Sequence, residues 1–293
     1  MALKISRNAV TGGLLLAPAA LFLWFFTFQP ILLTFWQSFH STPKGRRPSV
    51  FIGAEQYQYM LSDPVFWKAL TNNLIYAAAT IPASIILALV MALMVNSSLK
   101  GRTFARVAYF TPTVLPMVAV ANLWLYFYAP DYGLVDRLLG LIGMGGNNLL
   151  GSPDTALPAL IVITIWKEAG FFMIFYLAAL QQISPTLLEA ASLEGANRWQ
   201  TFRRVVFPLL MPTTLFVTIN AVINAFRLVD HVIAMTKGGP NNATSLLLFY
   251  IYEVGFAYWD TSYAAALTVV LLVILAAIAL FQFGYADKRV HYK

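Results

Sequence analysis

The sequence contains no cysteine and has few charged residues. Only 11% of its 293 residues are Asp, Glu, Lys or Arg, whereas 59% are hydrophobic; an average soluble domain is about one quarter charged. Without cysteine, neither a disulfide framework nor a thiolate metal site can form. A soluble fold would have too little charge to cover its surface, so the composition indicates a membrane protein.

The chain also lacks the signatures of several enzyme classes. It has no G-x-x-x-x-G-K-[ST] phosphate-binding loop and no G-x-S-x-G nucleophile motif. Its three histidines, His40, His231 and His291, are too scattered for metal-ligand spacing. The net charge of +7 does not indicate nucleic-acid binding, because the basic residues are spread between apolar runs. We therefore expect neither a catalytic site nor a metal or cofactor in this chain.

Six stretches are long and apolar enough to cross a bilayer core of about 30 Å as helices. They are continuously apolar rather than alternating, which favours helices over barrel strands. Their approximate bounds are 12–39, 69–95, 107–128, 157–180, 209–235 and 263–283. We expect an all-α polytopic membrane protein with six transmembrane helices, in a single domain that covers 1–293.

Several of the expected spans contain proline, including Pro82, Pro112, Pro116 and Pro158. Proline removes a backbone hydrogen bond and kinks a helix. In a membrane, the carbonyl group freed by the kink needs a neighbour or a wet cavity. Kinked helices around a cavity would suit a transporter, although membrane helices also tolerate proline without any functional reason.

The basic residues indicate the orientation, because cytoplasmic loops carry more Lys and Arg than external ones. With a cytoplasmic N-terminus, eleven lie inside: Lys4, Arg7, Lys100, Arg102, Arg106, Arg198, Arg203, Arg204, Lys288, Arg289 and Lys293. Six lie outside: Lys44, Arg46, Arg47, Lys68, Arg137 and Lys237. We therefore expect both termini in the cytoplasm, although Lys44, Arg46 and Arg47 run against the rule.

The segment between the fourth and fifth spans is too polar to enter the bilayer. It reads SPTLLEAASLEGANRWQTFRRVVFPLLMP from Ser184 to Pro212. Pro185 suits the first position of a helix, and Gly195 suits its end because glycine adopts positive φ. A second helix is expected from about 197 to 206, before Pro208. The apolar side of this helix-turn-helix must dock on its own chain or on another protein.

This segment resembles the EAA loop of permease subunits in binding-protein-dependent ABC importers. Its pattern is Glu189-Ala190-Ala191, three residues, Gly195, nine residues, then Val205, Phe207 and Pro208. The spacing is complete, and Val and Phe replace the family's Ile and Leu. The segments Leu61–Trp67, Thr236–Tyr252 and Phe281–Lys293 are similar to the carbohydrate-uptake branch, most like the first permease subunit of glycerol-3-phosphate and maltose-type systems.

The resemblance implies a type I ABC importer architecture in the bacterial inner membrane. Its expected partners are a second permease subunit, an ATPase dimer that binds ATP and Mg, and a periplasmic or extracellular solute-binding protein. The EAA loop would dock on the ATPase and couple ATP hydrolysis to alternating access. The residues that carry this role by resemblance are Glu189, Ala190, Ala191, Gly195 and Pro208.

Polar residues inside the spans are candidates for a solute site, because such groups are unfavourable against lipid. In the fifth span, Asn220, Asn224, Arg227 and His231 fall at i, i+4, i+7 and i+11, on one expected helical face. Other candidates are Asn122, Trp166, Lys167 and Asp230. Alternatively, the charges pair within the chain, Arg227 with Asp230 and Lys167 with Glu168, and Trp166 only packs.

The sequence predicts import of a sugar or sugar-like solute, such as a polyol, a glycoside or a phosphorylated or sulfonated derivative. Arg227 and Lys167 hint at an acidic solute, but nearby acids could cancel them. A passive channel is the main alternative, although a channel has no use for an EAA loop. An intramembrane enzyme is disfavoured by the absence of catalytic motifs. The sequence does not identify the solute.

Overall fold

Helices form the regular structure of this chain. The structure is a computed structural model that describes residues 7–43, 45–97, 101–143 and 145–286. Its α-helices are α1 (Arg7–Leu23), α2 (Gln29–Gln37), α3 (Glu55–Ser62), α4 (Pro64–Asn96), α5 (Arg102–Val114), α6 (Met117–Phe127), α7 (Leu134–Gly140), α8 (Pro153–Gln182), α9 (Pro185–Leu193), α10 (Arg198–Thr201), α11 (Phe207–Leu209), α12 (Met211–Arg227), α13 (Asp230–Met235), α14 (Leu247–Tyr252) and α15 (Thr261–Ala286).

The rest of the regular structure consists of short π-helical turns at Trp24–Phe28, Phe202–Val206 and Glu253–Ala257. The β-type pairing in the described ranges is limited to isolated bridges, such as the one between His40 and Phe51. The all-α class is therefore confirmed. Of the basic residues used for the orientation, Lys4, Lys44, Lys100, Lys288, Arg289 and Lys293 lie outside the described residues.

Five helical segments are long and apolar enough to cross a membrane. They are Leu14–Gln37, Pro64–Asn96, Pro153–Gln182, Met211–Met235 and Thr261–Gln282. The sixth expected span, 107–128, differs from the others because it consists of α5 and α6, which meet at 105°. The break falls at Leu115, which precedes Pro116 and is extended (φ −74°, ψ 135°). A residue before proline is disfavoured from helical geometry, so one expected helix is a bent pair.

The chain divides into two compact units, of which the first combines residues 1–63 with 251–273. In this unit the Leu14–Gln37 segment contains no buried residue. The Thr42 hydroxyl donates to the Asp260 carboxylate and accepts from the Ser262 N–H. The Tyr263 hydroxyl donates to Asp63 Oδ2 at 2.5 Å. Polar bonds therefore fix the start of α15 within this unit.

The second unit combines residues 64–250 with 274–293. In its core, α4 packs along α8, and α12 packs against both. Small side chains such as Ala88, Ala92 and Ala169 are fully buried there, and such residues allow membrane helices to approach closely. The bulky side chains of Phe172, Tyr176 and other residues fill the remaining space. Polar side chains also project from these three helices.

Candidate functional site

The EAA loop (residues 184–208) begins with a short, well-defined helix. Pro185 occupies the first position of α9, and Ser184 before it is extended. At the other end, the Ala196 N–H bonds to the Ala191 carbonyl and the Gly195 N–H to the Ser192 carbonyl, both at 3.0 Å. These two bonds form a Schellman motif, which satisfies carbonyl groups at the end of a helix. Local sequence alone therefore fixes both ends of α9.

Gly195 closes this motif in the left-handed region, with a φ of 76°. A Cβ atom added there would meet nothing within 4 Å. Within this chain, the turn therefore requires glycine for its backbone conformation and not for its small size. A side chain at this position would project into open space, where a docked partner would meet it.

The second half of the EAA loop starts with a capping box. Asn197 Oδ1 accepts from the Gln200 N–H, and Gln200 Oε1 accepts from the Asn197 N–H, both at 2.9 Å. These paired bonds satisfy donors at the start of α10. The chain then passes through the π-helical turn to Pro208 in α11, and Leu210 is fully buried just before α12. The loop is thus anchored directly to the fifth-span helix.

Several side chains of the EAA loop are exposed, both apolar and charged. Leu193 is 90% exposed and Trp199 is 67% exposed. Glu189 and Ala190 are also exposed, whereas Ala191 faces inward and is buried. Of the sequence-predicted coupling residues, Glu189, Ala190, Gly195 and Pro208 are therefore accessible to another subunit, and Ala191 is not.

A surface groove of about 680 Å³ lies next to the EAA loop and shows how the loop is connected to the spans. It is lined by residues of α8, α9, α11, α12 and the α8–α9 connection, namely Phe175, Ala178, Ala179, Gln182, Ile183, Ser184, Leu187, Leu209, Pro212, Thr213 and Phe216. Helix α9 therefore lies near the C-terminal end of α8 and the N-terminal end of α12.

Lys167 on α8 binds the broken third span. Its Nζ donates to the carbonyl oxygens of Leu115 at 2.7 Å, Pro112 at 3.0 Å and Thr113 at 3.4 Å. A lysine ammonium has three donors, so these contacts use all of them. The expected pairing of Lys167 with Glu168 is not seen as an ion pair in the described part of the chain. The arrangement favours an intrachain role for Lys167 over solute contact.

Glu168, the neighbour of Lys167, faces α12 instead. Its Oε2 accepts a hydrogen bond of 2.6 Å from Asn224 Nδ2. Both residues border a small crevice with Thr80, Ser84 and Thr164, and the crevice has room for about one water molecule. Ser84 Oγ is buried and has no partner among the described residues. This crevice therefore offers unfilled hydrogen-bonding capacity at the centre of the helix core.

A chain of hydrogen bonds links three helices beside this crevice. Thr164 Oγ1 donates to the Leu160 carbonyl at 3.1 Å, so it accepts from the Tyr76 hydroxyl at 2.5 Å. The Tyr76 oxygen then accepts from His231 Nε2 at 3.0 Å. This order assigns the Nε2–H tautomer to His231, whose Nδ1 has no partner among the described residues. This series of hydrogen bonds runs from α13 through α4 to α8.

Two adjacent asparagines of α4 attach the segment that follows the fifth span. Asn72 Nδ2 donates to the carbonyls of Asn242 at 2.8 Å and Ser245 at 3.1 Å. Asn73 donates to the Ala225 carbonyl and accepts from the Leu247 N–H, both at 3.1 Å. Buried backbone groups need such partners. Side-chain amides of α4 therefore hold the segment between α13 and α14 and also bond to the end of α12.

The fifth span is interrupted where the sequence predicts one continuous polar face. Helix α12 ends at Arg227, Leu228 is extended (φ −77°, ψ 111°), and α13 begins at Asp230. The helical spacing therefore applies to Asn220, Asn224 and Arg227 but not to His231, which is buried against Tyr76. The expected Arg227–Asp230 ion pair is absent from the described residues, and both side chains are exposed. The correction follows from the backbone break, which changes the side-chain direction.

The other predicted solute-site residues lie on separate helices of the same unit. Asn122 on α6 is exposed, and its amide donates to the Val118 carbonyl of its own helix at 2.9 Å. Trp166 is 39% exposed, and its ring lies 5.6 Å from that of Trp124 on α6. Asn220 bonds to the Phe216 carbonyl at 2.8 Å. Helix α6 packs against α13, which brings the Asn122 helix to the fifth span.

Sequence reasoning missed the polar face of α4. Asn73, Tyr76, Thr80 and Ser84 fall at i, i+3, i+7 and i+11, and all four are buried. The signal was present in the sequence, because polar side chains in an apolar span are unfavourable and this spacing places them on one helical face. The face meets Thr164 and Glu168 of α8. The polar core therefore includes side chains of the second expected span, which contributed none of the residues predicted for the solute site.

Comparison with known proteins gives consistent matches over nearly the whole chain. Residues 50–292 match the family described as "Binding-protein-dependent transport system inner membrane component". The chain is 35% identical over 286 residues to the lactose transport system permease protein LacF of Rhizobium radiobacter, covering 96% of this chain and 95% of LacF. It is 32% identical over 286 residues to the sn-glycerol-3-phosphate transport system permease protein UgpA of Agrobacterium fabrum, covering 97% of each.

A solved structure shows the same architecture. One chain in the crystal structure of a bacterial ABC transporter involved in the import of the acidic polysaccharide alginate matches with a TM-score of 0.85. The two chains are 26% identical, and the match covers 98% of each. The chain that contains the bent third span and the interrupted fifth span therefore has the overall fold of a transporter subunit.

Proposed function

Because the chain belongs to the family of binding-protein-dependent transport system inner membrane components, we propose that it moves a sugar or sugar-like solute by alternating access. It is a multi-pass permease subunit of an ATP-driven carbohydrate importer. The proposal concerns the solute, its path and the coupling residues. The candidate solutes are polyols, glycosides and phosphorylated or sulfonated sugar derivatives.

The geometry of the EAA loop is the observation that carries this function. A capped helix exposes Glu189, Ala190 and Leu193, and it borders a groove that α8 and α12 also line. This arrangement suits docking on a separate ATPase subunit, which would bind ATP and Mg and would transmit its closure through α9. Gly195 ends α9, and Pro208 lies in α11 at the end of the loop. A second permease subunit and an external solute-binding protein would complete the importer.

The proposed solute path passes the polar side chains of α12. Asn220 and Asn224 would lie near the middle of the membrane, and Arg227 is the last residue of α12. Asn122 and Trp166 would line the path from α6 and α8. Amide groups both donate and accept hydrogen bonds, which suits the hydroxyls of a sugar. An exposed tryptophan face suits the apolar side of a pyranose ring. Asp230 is exposed beyond Arg227 and would contribute at the entrance.

The charges near this path favour an uncharged or weakly charged solute at mid-membrane. Lys167 is occupied by carbonyl oxygens, so its charge is not directed at a solute. Glu168 contacts Asn224 directly and would repel an anion there. Arg227 is the remaining exposed cation and lies at the end of α12. An acidic group on the solute would therefore be bound near Arg227 and not beside Asn224.

The test is uptake by the complete importer in proteoliposomes. The probe is the solute that co-purifies with the importer's binding protein, identified by mass spectrometry. Uptake should require hydrolysable ATP, and Asn224→Ala should raise the half-saturating solute concentration. Loss of one hydrogen bond of roughly 0.5–1.5 kcal/mol corresponds to roughly a twofold to tenfold change. Basal ATP hydrolysis and assembly should persist.

The control is Gln58→Ala, which removes an exposed amide on α3, a helix that contributes no residue to the proposed path. It should leave uptake unchanged. Equilibration of the solute without ATP would favour the passive channel instead. Full uptake at limiting solute by Asn220→Ala, Asn224→Ala and Arg227→Ala, each made separately, would show that the path lies elsewhere.

A further inference from the structure

The break in the third span leaves a set of carbonyl groups without helical partners. Helix α5 ends at Val114, and Leu115 and Pro116 are extended before α6 begins. The last carbonyls of a helix have no intrahelical donors, and Pro116 contributes no N–H. In a membrane core, water is not available to replace them. The 105° bend therefore requires a donor from another element.

Lys167 supplies that donor from α8. Its ammonium group lies within hydrogen-bonding distance of the carbonyls of Pro112, Thr113 and Leu115. The C-terminal end of a helix carries partial negative charge, which stabilises a cation there. The contact is reciprocal but weaker in the other direction, since Thr113 Oγ1 lies 3.5 Å from the Lys167 carbonyl. One side chain thus satisfies several of the groups exposed by the break.

The backbone of α8 is shaped for this close approach. Gly170 lies one turn beyond Lys167 and is buried against α5. A Cβ atom there would overlap the Tyr109 carbonyl oxygen and would lie 3.1 Å from Thr113 Oγ1. Glycine therefore allows α8 to contact the main chain of α5 directly. The lysine and the glycine act on the same two turns of α5, before the bend.

The bend in turn sets the position of α6 relative to the proposed solute path. Helix α6 carries Asn122 and Trp124, and Trp124 lies against Trp166, the residue before Lys167. We propose that Lys167 is a positioning residue that holds the α5–α6 bend and thereby places the polar side of α6 on the solute path. The role goes beyond the proposed function, because it requires no contact between Lys167 and solute.

The experiment measures the bend directly by spin labelling. The chain has no cysteine, so labels can be introduced at Val107→Cys and Leu123→Cys, which are 60% and 49% exposed on α5 and α6. Electron–electron resonance on the assembled importer gives the distance distribution between the two helices. Lys167→Met should broaden this distribution and shift it to longer distances. Lys167→Arg, which keeps the charge and the donors, should restore the narrow distribution.

The control is Lys68→Met, which removes an exposed lysine at the start of α4 and should leave the distribution unchanged. An unchanged distribution in Lys167→Met overturns the proposal, even if uptake is lost, because the lysine would then act elsewhere. If Lys167→Met does not accumulate in the membrane, Lys167→Gln decides. A distribution identical to that of the unsubstituted chain in Lys167→Gln overturns the proposal, and a broadened one supports it.

Discussion

At the scale of single residues, buried polar groups of this chain donate and accept hydrogen bonds in a defined order. Tyr76 donates to Thr164 and accepts from His231, so its hydroxyl uses both of its functions. Neighbouring residues can also have opposite surroundings, as Lys167 contacts carbonyl groups at the end of α5 while Glu168 contacts Asn224. The charge of a residue in a span therefore says little about its role until its partner is known.

Tyr76→Phe should destabilise the assembled permease. The substitution keeps the ring but removes the hydroxyl, which leaves the His231 donor unsatisfied in a fully buried site. An unsatisfied buried group costs about 1–3 kcal/mol. Thermal unfolding of the purified importer should therefore occur at a lower temperature.

The matched control is Tyr126→Phe. Tyr126 is 63% exposed, so removal of its hydroxyl should shift the unfolding temperature much less. Equal shifts in the two variants would contradict the series of hydrogen bonds through Tyr76, because the loss of stability would then not depend on the buried hydroxyl.

At the scale of elements, helix ends decide where the spans of this chain are continuous. The Schellman motif at Gly195 ends α9, and the capping box at Asn197 starts α10 one residue after Ala196. The break at Leu115 bends the third span, and the break at Leu228 interrupts the helix of the fifth, although sequence analysis treats both spans as continuous. The ends at Gly195, Asn197 and Leu115 follow local rules, the last because Pro116 comes next.

Gly195→Val should weaken coupling, whereas Gly195→Asn should be tolerated better. The φ of 76° disfavours a β-branched residue, and asparagine visits this region more readily. Left-handed geometry costs most residues roughly 1–2 kcal/mol, so the valine variant should distort the end of α9. Co-purification of the ATPase and solute-stimulated ATP hydrolysis measure the effect.

Gly284→Val provides the comparison, because Gly284 also has open space around an added Cβ but lies within α15 without positive φ. It should retain coupling. If Gly195→Val and Gly195→Asn were equally impaired, contact between the added side chain and the ATPase would explain the loss, and backbone conformation would not.

At the scale of the whole molecule, we propose the orientation in the membrane from the distribution of the basic residues. Helix α8 offers a direct measurement, because its 30 residues extend about 45 Å at 1.5 Å per residue. This length exceeds a bilayer core of about 30 Å. Asp154 and Gln181 are exposed near its opposite ends. In the proposed orientation, Asp154 is external and Gln181 is cytoplasmic.

Single cysteines at these two positions should label differently with a membrane-impermeant maleimide. In intact spheroplasts Asp154→Cys should react and Gln181→Cys should not, and both should react after permeabilisation. The absence of native cysteine gives a chain with no background labelling. The reverse pattern would place the EAA loop outside the cell and would be incompatible with an ATPase partner in the cytoplasm.

The sequence by itself determined the class of protein and the helix ends in its EAA loop. Hydropathy is a property of composition along the chain, so the apolar runs identified a membrane protein without knowledge of any contact. The ends of α9 and α10 depend on residues within a few positions of each other, such as Gly195 and Ala191. For the same reason the spacing of the EAA loop could be recognised directly.

The tertiary structure decided the partners of the polar span residues. Lys167 binds carbonyls 52 to 55 residues away, and Tyr76 and His231 are separated by 155 residues. Helical spacing shows which face a residue occupies only while the helix is continuous, and the break after Arg227 removes that information for His231. Which helix a face meets depends on the packing of the whole unit, because hydrogen-bonding partners are chosen in space and not along the chain.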